Sequence, residues 1–131
     1  MTEDIRWRQR FENLKKAISF LGKSVDQGTY NELERAGLAQ SFEFTFELSW
    51  KTLKDYLFES GFDVKSPRDS IKQAFQNGII LDGHLWMQML EERNRLTHTY
   101  NEEQAAAAVK TIREIYFPAL LQLFTAFQEL K

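Results

Sequence analysis

The stretch RNRLTHTY, Arg93 to Tyr100, gathers a guanidinium, an amide, an imidazole and a phenol within eight residues. Arginine presents a rigid fork of N–H donors suited to oxyanions, and an imidazole, with a reference pKa of about 6.5, exchanges protons near neutrality. Trp86, Met89, Arg93, Leu96 and Tyr100 follow at steps of three, four, three and four, so Arg93 occupies an otherwise apolar helical stripe. A buried cation left unpaired costs several kcal/mol, so Arg93 needs an anion. Two sources qualify: a carboxylate from a neighbouring helix, Glu43 or Glu47, or the phosphate of a ligand.

His98 lies five residues beyond Arg93, which on one straight helix turns it about 140° away. The two side chains share a site by either of two routes. The helix frays near Thr97, where THTYN holds poor helix formers, or two copies of the chain pack so that their motifs meet across a two-fold axis. Taken alone, His98 also reads as a cation at a helix C-terminus, and Tyr100 as a ring packed over the helix end with its hydroxyl in water.

These residues need elements to position them. Trp7, Phe11, Leu14, Ile18, Leu21 and Val25 form one apolar stripe on a first helix running to about Gln27. Asn31 and Glu34 have capping-box spacing and open a second helix. Within it FEFTFELSW, Phe42 to Trp50, alternates apolar and polar as a half-buried strand does. Its flanks favour helix, however, and Glu43, Glu47, Lys51 and Lys54 climb one polar stripe, so the segment reads as a single helix from about Asn31 to Ser60, stopped by Gly61. That helix is apolar on more than one side, which suits the middle of a bundle or a dimer seam.

Ser66, Pro67 and Asp69 start a short third helix that Gly78 closes, and Asp82 caps the fourth, which carries Arg93. Asn101 and Gln104 open the last helix, in which Pro118 is expected to produce a kink. The expectation is an all-α, five-helix up-and-down bundle, residues 1–131 forming one domain.

Composition narrows the function. Of 131 residues, 43% are apolar and 27% charged, as in soluble globular proteins. The net charge of −2 supplies no general attraction to nucleic acid, so any phosphate binding must be local. Without cysteine there is no disulfide, thiolate nucleophile or thiolate metal site, and His84 with Asp82 is too little for a metal. No metal or cofactor is expected. The charged N-terminus and the absence of a long apolar run point to a cytoplasmic, membrane-free protein. Eleven Phe and three Trp are generous for this length and suit self-association.

The pattern Arg93, Asn94, four residues to His98, one more to Tyr100 resembles the R-x4-H-x-Y signature of the HEPN superfamily (higher eukaryotes and prokaryotes nucleotide-binding). LERAGLAQSFEFTFELSWKTLKDYL resembles the second helix of its HepT-like branch, often labelled nucleotidyltransferase substrate-binding proteins. The likeness extends over nearly the whole chain.

The resemblance implies a HEPN-like homodimer of helical bundles whose two motifs line one cleft, paired with a minimal nucleotidyltransferase. It further implies a metal-independent endoribonuclease of the toxin-antitoxin type. In that role His98 moves the proton of a ribose 2′-hydroxyl as it attacks the adjacent phosphate, leaving a 2′,3′-cyclic phosphate, and Arg93 stabilises the developing charge. Asn94 orients the imidazole or a phosphate oxygen. Apart from the resemblance, Arg95 beside the motif and Lys65, Arg68 or Lys72 near the third helix are candidates for further phosphate contacts, with scattered surface charge the commoner reading. Tyr100 is then the acceptor of AMP from the partner, which silences the cleft. Two other roles remain open: a non-catalytic subunit that binds nucleotide or substrate for the transferase, and a structural adaptor in which Arg93 is merely an ion pair.

Overall fold

The computed structural model describes residues 2–98 and 101–130, with side chains from Arg6 onward. Helix α1 spans Thr2–Val25, α2 Glu32–Glu59, α3 Pro67–Gln76 and α4 Gly83–His98. The last rod comprises α5 (Glu102–Thr111), a π-helical turn (Ile112–Tyr116) and α6 (Phe117–Leu130). Thr111, Ile112 and Phe117 all keep helical φ and ψ, so these three segments form one continuous helix and the bundle has five. No strand occurs among the described residues.

Capping follows local chemistry. Asn31 and Glu34 form both halves of a capping box, at 2.8 and 2.9 Å. The Asp69 N–H donates to Ser66 Oγ, Leu85 N–H to Asp82 Oδ1 and Gln104 N–H to Asn101 Oδ1. Gly61, at φ 98°, ends α2 in the left-handed region, where a Cβ would be strained.

FEFTFELSW is helical throughout. Its alternating polar residues do not all face water: Thr45, Ser49 and, just beyond, Thr52 are buried, each hydroxyl donating to the carbonyl four residues back at 2.7 to 2.8 Å. This self-satisfaction lets α2 be covered on several sides, and it packs against α1, α3, α4, α5 and α6. The α1 stripe of Trp7, Phe11, Leu14, Ile18 and Leu21 meets it in the core.

At Pro118, where a kink is expected from the sequence, the rod carries a π turn just before the proline. Proline offers no N–H and its ring crowds the carbonyl four residues back; widening the turn, with the Phe117 N–H donating to Ile112 O, accommodates both. Tyr116, inside that turn, stacks on Phe42 with centroids 5.2 Å apart.

Candidate functional site

Helix α4 lies along α2 because Trp86, Met89, Leu90 and Leu96 bury one side of it, Trp86 packing on Phe46 at 5.9 Å. Arg93 comes out at the edge of that buried side, its side chain 23% exposed, and its Nη2 donates to Glu47 Oε2 on α2. Of the two carboxylates expected, Glu47 is therefore the partner. Glu43, one turn earlier, instead accepts from Thr97 Oγ1, so two polar links stitch α4 to α2.

Glu47 is the electrostatic centre of the seam. Burial alone pushes its carboxyl up, but the nearby Trp50 indole, the Arg93 guanidinium and Lys51 outweigh it and hold the group below its ordinary 4.5. Lys51 Nζ stands 3.3 Å away on the next turn. The Trp50 indole N–H, though close, is buried without a well-formed hydrogen bond among the described residues.

The ion pair does not exhaust Arg93. A guanidinium has five N–H donors. The second contact is Nη1 to Asn94 Oδ1 at 2.8 Å, so these two bonds among the described residues use two of the five. Asn94 thus orients the arginine.

His98 is exposed at the end of α4, which remains helical through that residue. Fraying near Thr97 is accordingly excluded as the route to convergence: the register locked by Thr97 and Glu43 keeps the imidazole about 140° around the helix from Arg93. Arg95 is not brought to Arg93 either. It stands on the far side of α4, 2.6 Å from the buried Glu92, and with Glu92 belongs to the surroundings of Tyr116, whose phenol is raised above its ordinary 10.0 by burial and by the Glu92 charge. Tyr100 lies outside the described residues.

Arg68 and Lys72 line a separate hollow with His84 between α3 and α4. Among the described residues no group of three or more His, Cys, Asp or Glu side chains could hold a metal ion. No helix there is long and apolar enough to cross a membrane.

Residues 9–129 match the family model described as nucleotidyltransferase substrate binding protein like. The chain belongs to that family. A similar protein is the probable ribonuclease HepT of Haemophilus influenzae, 33% identical over 82 residues, covering 59% of this chain. That match takes in 56% of the relative's own length, little more than half. A crystal structure of a protein from Thermus thermophilus superposes with a TM-score of 0.79 at 31% identity, over 86% of this chain and 96% of that one. A second structure, from Haemophilus influenzae, is described as revealing the fold of a substrate binding domain of a nucleotidyltransferase. It matches with a TM-score of 0.78 at 24% identity, over 90% of this chain and 98% of that one, which establishes the shared fold. This member of the nucleotidyltransferase substrate-binding family therefore has the expected all-α bundle and a HepT-like ribonuclease as a homologue.

Glu47 as the specific partner of Arg93, and the link from Thr97 to Glu43, were not separable in the sequence. Glu43 and Glu47 sit one turn apart on the same stripe, and only the register of α4 along α2 decides between them.

Proposed function

We propose that the chain is a metal-independent endoribonuclease, active as a homodimer and held in check by a minimal nucleotidyltransferase that transfers AMP to Tyr100. The observation that carries this reading is the state of Arg93: anchored by Glu47, oriented by Asn94, and partly open to solvent at the edge of the seam. An arginine prepared in this way binds a phosphate without first paying to order its own side chain.

In the proposed reaction the ribose 2′-oxygen attacks the adjacent phosphorus. The new O2′–P bond forms as the P–O5′ bond breaks, giving a 2′,3′-cyclic phosphate and a free 5′-hydroxyl. His98 takes the 2′-hydroxyl proton as general base, and a protonated imidazole returns one to the departing 5′-oxygen. Arg93 holds the non-bridging oxygens as charge builds on them, and the Asn94 amide adds a donor. Since Arg93 and His98 diverge on one helix, the active cleft takes its arginine from one copy and its histidine from the other.

AMP on Tyr100 would bring a phosphate to the same cation and fill the cleft. The HepT relative and the family description support the ribonuclease and the transferase partner respectively.

A second reading has its own observation. The Arg93–Glu47 pair leaves the local charge nearly neutral, which suits a subunit that binds nucleotide for the transferase without cleaving RNA. Expression of the wild type and of His98→Ala without the partner separates the two. Growth arrest and RNA fragmentation by the wild type, lost in the variant, is the expected result; equal harmlessness of both overturns the nuclease. Mass spectrometry after co-expression with the transferase reads AMP on Tyr100.

A further inference from the structure

The hollow between α3 and α4 takes no part in the reaction at Arg93 and His98. On α3, Arg68, Ile71, Lys72 and Phe75 follow at steps of three, one and three and so share one face. With Gly83, His84 and Met87 of α4 they line a space of about 300 Å³. Ile71 is fully buried beneath it, whereas Phe75 stays 51% exposed. Gly83 sets the place of that ring. A Cβ at position 83 would stand 3.3 Å from Phe75 Cγ, tighter than ordinary contact, so the glycine lets the ring lie against the α4 backbone. Phe75 is thus seated along one side and about half open to solvent.

The groups around the ring are all N–H donors. Arg68, Lys72 and His84 line the hollow, and among the described residues no Asp or Glu does. Arg68 Nη1 lies 3.9 Å from Met87 Sδ, which keeps the guanidinium over the space. The nearest acids in the sequence belong elsewhere: Asp69 is about 100° round α3 from Arg68, and Asp82 Oδ1 accepts from the Leu85 N–H at the start of α4. A chain of net charge −2 binds phosphate only where positive charge is gathered locally, and this hollow gathers it around an aromatic plate. That combination fits a flat base carried next to a phosphate. Its volume, at the low end of the roughly 300–1,000 Å³ of small-molecule sites, takes one such unit.

The course of α4 indicates where the unit comes from. From Met87 to His98 is eleven residues, which returns the helix to within about 20° of the same direction. The hollow and the imidazole therefore open on one line of α4, about 17–21 Å apart, while Arg93 points about 140° away. At about 3.4 Å per stacked nucleotide that gap is five or six nucleotides of one strand, and fewer if the strand is extended.

We propose that the α3–α4 hollow is a subsite for single-stranded RNA, seating one nucleotide of the strand at a distance from the bond cut beside His98; the assignment rests on the ribonuclease reading of the cleft. Phe75 stacks on the base, Arg68 and Lys72 hold the flanking phosphates, and His84 donates to a phosphate or to the base edge. Glu91, one turn beyond Met87 on the same line, repels phosphate and accepts from base amino groups, so the strand turns its bases toward α4 there.

The test is fluorescence anisotropy on the whole chain with a single-stranded RNA of about ten nucleotides, long enough to cover both places and blocked by 2′-O-methyl groups against cleavage. Phe75→Leu, which keeps apolar cover but removes the plate, should weaken binding about tenfold, and Phe75→Tyr should retain it. The double variant Arg68→Gln, Lys72→Gln should reduce the slope of log affinity against log salt by about 1.4, at about 0.7 for each phosphate lost. These side chains are exposed, so helical circular dichroism should not change. On cleavable RNA of the same length both variants should raise KM and leave kcat unaltered, and neither should affect a dinucleotide, which is too short to reach the hollow. Wild-type affinity and salt slope in these variants, or an equal loss on the dinucleotide, overturns the subsite. AMP that binds as tightly as the long RNA, and no longer does so in Phe75→Leu, would overturn the strand in favour of a free nucleotide. A wild type that binds the long RNA through Phe75 but cleaves nothing overturns the nuclease and leaves the hollow an RNA site. One that binds no single-stranded RNA overturns the subsite whatever becomes of the cleft.

Discussion

Replacing Glu47 by Gln removes the charge that anchors Arg93 while keeping the side chain's size. Both partners are largely covered, with side chains 23% and 29% exposed, so the pair sits between two measured regimes. Exposed pairs contribute up to about 1 kcal/mol, and breaking a fully buried pair costs about 3–5 kcal/mol. The expected loss for Glu47→Gln at pH 7 is therefore about 2 kcal/mol, a shift of about 1 M in the urea midpoint. The pH dependence supplies the sharper check. Because the folded-state pKa of Glu47 lies below its ordinary 4.5, the unfolded chain binds the proton more readily. The carboxylate's contribution is then fully present above the unfolded value and is lost as pH falls through the folded one. Urea titrations followed by tryptophan fluorescence should show the gap between wild type and Glu47→Gln narrowing below about pH 4.5. In a double-mutant cycle with Arg93→Gln, most of the loss at pH 7 should appear as coupling energy. A variant as stable as the wild type at pH 7, or a gap that stays constant down to about pH 3.5, would refute the claim that Glu47 anchors Arg93 as an ion.

Three further outcomes follow from the same seam and its supports. Thr97→Val, which removes the hydroxyl bound to Glu43, should cost about 1 kcal/mol by thermal denaturation and loosen the end of α4, read as faster amide exchange near His98. Arg95→Ala leaves the buried Glu92 without its cation and should destabilise by about 1–2 kcal/mol, yet alter phosphate affinity less than Arg93→Ala in a filter-binding assay. Gly61→Ala forces a Cβ into the left-handed region at φ 98° and should lower stability by about 1 kcal/mol in urea, with no effect on RNA cleavage.

How far the sequence discloses this molecule depends on whether a feature is local or set by register. The helix starts at Asn31, Ser66, Asp82 and Asn101 are local hydrogen-bond chemistry and stand where their residue types put them. FEFTFELSW was ambiguous because period alone cannot tell a polar group facing water from one that satisfies itself; Thr45 and Ser49, like Thr52 after them, are of the second kind. The place of Arg93 on an apolar stripe was legible, but its choice between two glutamates one turn apart depends on how α4 slides along α2. Arg95, adjacent to the motif in sequence, is remote from Arg93 in space because each helical step turns about 100°. That α2 is apolar on more than one side was legible, but that Phe44, with Phe20 of α1, stays exposed is known only once the core has taken the other rings.

The divergence of Arg93 and His98 makes catalysis and assembly a single question. If the shared cleft holds two Arg93–His98 pairs, each drawing its arginine from one copy and its histidine from the other, two inactive variants should repair one another. Arg93→Ala and His98→Ala homodimers each lack a member of both pairs. In a mixed dimer one pair lacks both groups and the other has both intact. Random exchange of subunits makes about half the population mixed, so mixing equal amounts should restore about one quarter of wild-type RNA cleavage. Clefts built within single protomers would show no recovery at all. The absence of recovery in the mixture would remove the two-copy mechanism altogether.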